Sequence, residues 1–186
     1  ALSETPGLTR IFTAIRVPSR ISNDLLALPQ KGVQGRWNNW RDLHLTLRFI
    51  GDVHPDLVPE IQNELRRVKR PPVSVEIDGL AAFHKKSQSI LFADVKTRKK
   101  LETLVADMTD ILVPLGLQFP DHPFRPHITL ARLKKTPVPT TEKYISQHSS
   151  KIKERFEARS FYLLQSGQPD QNGAVYTNLA EYDLSA

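Results

Sequence analysis

His44-Leu45-Thr46-Leu47 and His127-Ile128-Thr129-Leu130 spell one pattern twice, once in each half of the chain. In each copy His and Thr alternate with apolar residues, the signature of a strand with one buried face. Side chains two apart on a strand share a face. Each copy therefore presents an imidazole beside a hydroxyl, with Leu45 and Leu47, or Ile128 and Leu130, anchoring the opposite face. Near neutral pH one imidazole draws a proton from water while a second, charged one protonates a departing alkoxide. Two hydroxyls suit the non-bridging oxygens of a phosphate. Two such strands lining one cavity make an acid–base site for phosphate chemistry.

A single H-x-T on a strand is common and mostly structural. A repeated one, both copies followed by leucine, points to catalysis. Zinc is the competing use of two histidines, but it wants a third and usually a fourth ligand at compatible spacing, and none stands at such an offset. No metal and no cofactor are expected. An arginine would complete the site, because a guanidinium grips phosphate with two parallel hydrogen bonds. Arg48 shares the face of His44 and Thr46 by strand parity. Arg132, five residues after His127, falls on the face opposite His127 unless its strand ends or bulges. Phe12, Trp37 and Trp40 are candidates to stack a base, with core or rim packing as the equal alternative. His54, His84, His122 and His148 read as surface residues, His122 being the one near the second motif.

A formal net charge of +6 favours an anionic partner, nucleic acid or a phosphorylated small molecule. The basic runs at 66–70 and 96–100 fall at expected helix ends and read as solvated faces. There is no cysteine, which excludes disulfides and thiolate metal sites and fits a reducing compartment. No window approaches the roughly 18 apolar residues of a membrane span. The segment from Ala1 to Pro18 lacks a continuous apolar stretch of secretory type, so cytoplasm is the expected compartment. The 186 residues suffice for one well-cored domain, taken as 1–186 and expected to act as a monomer.

The elements that must position the motifs are legible as apolar periodicity. Thr9 to Val17 reads as a strand ended by Pro18. Ser19 or Ser22 caps a helix running to about Gln30. A polar loop, Lys31 to Arg41, leads into the first motif strand, Leu43 to Ile50, closed by Gly51. A helix follows from Pro55 to Val68. Val73 to Phe83 and Ser89 to Val95 form a strand pair. Thr97 caps a strongly periodic helix that Gly116 punctuates. A proline-bracketed loop, Pro120 to Pro126, delivers the second motif strand. A polar helix spans Thr140 to Arg155, and strands follow near Phe156–Gln165 and Ala174–Leu184. Tight polar connections argue for antiparallel pairing in an α+β domain. Two His-bearing strands, each flanked by helices, suggest an internal duplication with a cleft between the halves.

Together these residues resemble the two-histidine phosphoesterase superfamily, and within it the LigT-like RNA 2′,3′-cyclic phosphodiesterases, once described as 2′-5′ RNA ligases. The likeness rests on Arg10 to Ile15, on Leu43 to Val53, on Phe124 to Arg132, and on an echo from Leu164 through Ser166 to Gly173, Tyr176 and Leu179. The resemblance implies a bilobal α+β fold, two antiparallel-rich sheets flanked by helices around a central cleft. It implies metal-independent opening of a ribose 2′,3′-cyclic phosphate, at the end of RNA or on a nucleotide, to a 2′-phosphate. His44 would then protonate the O3′ leaving group and His127 accept a proton from water. Thr46 and Thr129 would hold the phosphate, and Arg132 would rank above Arg48. The reverse reaction, joining RNA ends through a 2′-5′ bond, uses the same cleft. The alternative is a non-catalytic module that holds a nucleotide or RNA end on the same fold.

Overall fold

The computed structural model describes residues 7–185; residues 1–6 and 186 of the expected 1–186 domain lie outside that range. The order is β1 (Thr9–Arg16), α1 (Ser19–Leu26), β2 (Gly35–Trp37), β3 (His44–Val53), α2 (Val58–Leu65), β4 (Val73–His84) and β5 (Gln88–Val95). There follow α3 (Lys99–Leu112), β6 (His127–Lys134), α4 (Val138–His148), β7 (Lys153–Ala158), β8 (Ser160–Ser166) and β9 (Tyr176–Asp183). All recorded strand pairings are antiparallel, as expected for an α+β chain.

The strands run β7-β4-β5-β6-β3-β1-β8-β9, with β2 added beside β6. The two sheets anticipated from the resemblance are thus two halves of one sheet. They meet at the seam between β6 and β3, where the recorded register is the single pair Leu45–Ile128. Moving outward from that seam, β6 mirrors β3, β5 mirrors β1, β4 mirrors β8 and β7 mirrors β9. The chain builds β1, sets β2 against β6, builds β3, crosses to the other half for β4 to β7, and returns at β8 to finish the first. Leu45 and Ile128 are both fully buried, each worth roughly 1.5–3 kcal/mol of burial. The register of the two histidine strands is thus set where two core residues stand opposite each other. Leu101, Leu104, Val105, Met108 and Leu112 bury one stripe of α3, which packs against β3 and α2.

Several boundaries differ from the sequence expectation. The first motif strand does not close at Gly51 but passes through it, at φ +97°, to Val53. Thr97 does not cap α3: its hydroxyl donates to Ser74 O at 2.9 Å and accepts from Glu76 N at 3.0 Å, tying the loop to β4. The polar helix stops at His148, and Arg155 lies in β7 opposite Glu76. Strand pairing with β4 outcompetes a helical pattern whose apolar stripe has run out. The first helix ends at Leu26 rather than Gln30 and begins after Pro18, with no side-chain cap. The expected loop 31–41 contains β2, where the Gly35 backbone approaches Arg132 O so closely that a Cβ would stand 2.2 Å from it.

Candidate active site

Both motif strands carry a β-bulge, and at the same place. Along β3 the pairing passes from Thr46–Ala14 to Arg48–Thr13, leaving Leu47 as an extra residue. Along β6 it passes from Thr129–Phe92 to Ala131–Leu91, leaving Leu130 as the extra residue. A bulge inserts one residue and so reverses the side-chain parity beyond it. His44 and Thr46 face the cleft, Leu47 and Arg48 both face the helices, and Phe49 returns to the cleft. In the other copy His127 and Thr129 face the cleft, Leu130 and Ala131 face the helices, and Arg132 returns. Arg132 and Phe49 are therefore structural counterparts, as are Ala131 and Arg48.

The two imidazoles are held by one device used twice. His44 Nδ1 donates to the carbonyl of Asp42 at 2.7 Å, and His127 Nδ1 donates to the carbonyl of Arg125 at 2.8 Å. A carbonyl only accepts, so each neutral ring carries its proton on Nδ1 and leaves Nε2 as the base. His44 Nε2 accepts from the Thr46 hydroxyl at 3.0 Å. Each ring is also wedged between two aromatics. Phe12 and Tyr176 stand 5.0 and 4.9 Å from His44; Phe83 and Phe92 each stand 5.1 Å from His127. Asp42 is buried, and its carboxylate accepts from the backbone N–H groups of Val175 and Tyr176 at 2.9 and 3.3 Å. It thereby locks the Tyr176 wall to the segment that orients His44. Asn38 braces the second motif, its side chain donating to Thr129 O at 3.0 Å.

The surroundings differ in sign. Arg16 pairs with His44 across β1, whereas Asp94 pairs with His127 across β5. Burial pushes His44 down to about 4, and the charges of Arg16 and His127 push the same way, against the Asp42 carbonyl. His127 also lies below its ordinary value, through burial first; Arg125 adds to this while Asp94 opposes it. Leu45 stands opposite Ile128, so His44 and His127 share one face of neighbouring strands and the rings address one space.

One consequence is measurable without substrate. Between pH 6.5 and 4 the unfolded chain binds a proton at position 44 that the folded chain refuses. That contribution is complete above pH 6.5 and lost as pH falls through about 4; it amounts to at most about 3 kcal/mol. Denaturant unfolding of wild type and of His44→Gln across this range should converge as pH falls. Parallel curves would refute the burial assignment.

Arg132 is half-buried on the cleft face. Burial raises the Tyr176 phenol, while the charges of Arg132 and Arg36 pull it back down. Arg48 is not in the cleft: its guanidinium lies 4.9 Å from the Phe119 ring centroid and donates to Thr109 at 3.1 Å, against α3. Trp37, opposite Ala131, faces the helices and meets Tyr144 edge-on at 6.4 Å. Trp40 is exposed, covered on one side by Arg41 at 4.4 Å. Phe12 is 5% exposed, so it walls His44 rather than stacking a ligand. His54 caps the turn at Pro55–Leu57, His84 pairs with Glu142, and His148 ends α4. His122 lies exposed in the loop before β6. Asp42, Asp94, Phe49 and Arg36 were not singled out from sequence; only the bulges and pairings give them meaning. Among the described residues no cluster of three His, Cys, Asp or Glu side chains gathers as a metal would require.

The family model of the 2′-5′ RNA ligase superfamily matches residues 17–170. The chain belongs to that superfamily. Its relatives include the RNA 2′,3′-cyclic phosphodiesterase of Archaeoglobus fulgidus, 27% identical over 94% of this chain and 99% of that protein. The RNA 2′,3′-cyclic phosphodiesterase of Thermotoga maritima is 31% identical over 69% of this chain and 72% of that protein. In fold the chain matches E. coli LigT in its apo form, with a TM-score of 0.76 at 21% identity over 97% of this chain and 99% of that one. It is a mixed α/β protein with the paired histidine strands at the centre of its sheet.

Proposed function

We propose that this member of the superfamily is an RNA 2′,3′-cyclic phosphodiesterase. It adds water to a terminal ribose 2′,3′-cyclic phosphate and leaves a 2′-phosphate and a free 3′-hydroxyl. The observation that carries the reading is the duplicated imidazole mount: two rings, each fixed through Nδ1 on a carbonyl, on one face of neighbouring strands. Water's oxygen forms the new P–O bond as the P–O3′ bond breaks. His127 Nε2 takes the proton from water, and His44, which binds a proton at Nε2 once the anionic phosphodiester lies against it, gives that proton to O3′. Thr46, Thr129 and Arg132 hold the non-bridging oxygens.

The electrostatic asymmetry favours this direction. At the transition state His127 gains positive charge opposite Asp94, and His44 sheds it opposite Arg16. Shedding charge beside Arg16 is downhill, Asp94 offsets part of the cost that burial and Arg125 put on charging His127, and both act in a partly desolvated site where fixed charges count most. A 5′-hydroxyl in place of water would instead give a 2′-5′ linkage; the excess of water favours hydrolysis. The cysteine-free sequence supports a cytoplasmic setting. No described helix is long and apolar enough to cross a membrane.

Incubation with 2′,3′-cyclic AMP, with products resolved chromatographically, tests the reading. Adenosine 2′-phosphate should be the sole product, formed equally well in EDTA. Adenosine 3′-phosphate, or intact substrate, would overturn it.

A further inference from the structure

The bulges at Leu47 and Leu130 start two arms of opposite chemistry from the cleft, and β3 bulges once more at Ile50. Because Leu45 pairs with Ile128 in the antiparallel sense, β6 runs onward past His44 and β3 runs onward past His127. The β3 arm presents Phe49, 49% exposed, and then Asp52, which is paired with Arg10. The β6 arm presents Arg132 and then Lys134, and β2 sets Arg36 directly opposite Arg132. Arg36 and Lys134 are exposed, and among the described residues neither has an ion-pair partner. Three cations thus line one arm, reaching roughly 20 Å from His127 at the usual strand rise; among the described residues the Arg10 of the other arm is taken up by Asp52.

The chemistry proposed above decides which arm the nucleic acid takes. In-line attack puts water on the His127 side of phosphorus and O3′ on the His44 side. O3′ belongs to the terminal ribose, whose C5′ carries the rest of the RNA. The strand therefore leaves on the His44 side, where the cationic arm begins. We propose that RNA on the 5′ side of the cyclic end lies along β6 and β2, its backbone phosphates on Arg36 and Lys134, so that the protein favours RNA ends over free nucleotides. This rests on the functional reading above. Arg132, nearest the cleft, stays with the terminal phosphate.

The test compares kcat/KM on 2′,3′-cyclic AMP and on a short single-stranded RNA with a 2′,3′-cyclic end, for wild type and for Arg36→Ala with Lys134→Ala. The control is Lys100→Ala, an exposed lysine on α3. The double variant should lose about five- to tenfold on RNA, keep its rate on 2′,3′-cyclic AMP within twofold, and show a salt dependence shallower by about 0.7 per cation removed. Lys100→Ala should match wild type on both substrates. Equal losses on both substrates, no loss on RNA, or an equal loss from Lys100→Ala would overturn the proposal. A wild type that hydrolyses neither substrate would instead sink the functional reading, and this inference with it.

Discussion

Replacing His127 or His44 by alanine should each lower kcat/KM on a 2′,3′-cyclic nucleotide by roughly 10²–10⁴-fold. The two rings serve one transition state, one taking the proton from water as the other delivers a proton to O3′. Removing either leaves its partner with half a task. The double variant should accordingly fall little further than the worse single one, as happens for groups that act as a unit. The fold should survive, because the residues paired at the seam, Leu45 and Ile128, lie in the buried core and the imidazoles lie on the other face. Circular dichroism and thermal unfolding of the variants check that point. Loss confined to KM would reduce the rings to binding groups. A single variant retaining a tenth of wild-type turnover would remove that ring from the chemistry.

The alternation of His, Thr and apolar residues made the motif strands and their cleft-facing pairs legible in sequence, because period two is local information. The helix over Lys99–Leu112 was legible for the same reason: Leu101, Leu104, Val105, Met108 and Leu112 fall on one stripe and are buried. What the sequence concealed depends on a partner strand. Parity placed Arg48 beside His44, and the extra residue at Leu47 sends it to α3 instead. A bulge is a property of two strands in register, so nothing local announces it. The same holds for Asp94 and Arg16, which acquire a role only by standing opposite the two histidines. β2 went unseen because three residues around a glycine have no period to detect. The misplaced end of the fourth helix has another cause: Lys153–Ala158 is polar enough to read as solvated helix, yet it is edge strand with alternate residues turned outward.

Arg132→Ala should lower kcat/KM by roughly 10²-fold, whereas Arg48→Ala should leave it within about twofold, although both arginines follow an H-x-T closely. The difference lies in the bulges. Beyond Leu130 the parity of β6 reverses and turns Arg132 toward the phosphate, where a fixed donor typically contributes 10²–10³ to turnover. Beyond Leu47 the parity of β3 reverses as well and turns Arg48 away, onto Phe119 and Thr109. Arg48→Ala should therefore register in stability: loss of the ring contact and of one hydrogen bond costs about 1–2 kcal/mol, visible as a drop of several degrees in Tm. Arg132→Lys should recover only part of the rate, because an ammonium lacks the planar fork that matches two phosphate oxygens. If the two alanine variants exchanged these behaviours, so that Arg48 controlled turnover and Arg132 stability, simple alternation would describe the strands better than the bulged register, and the placement of the phosphate beside β6 would be wrong.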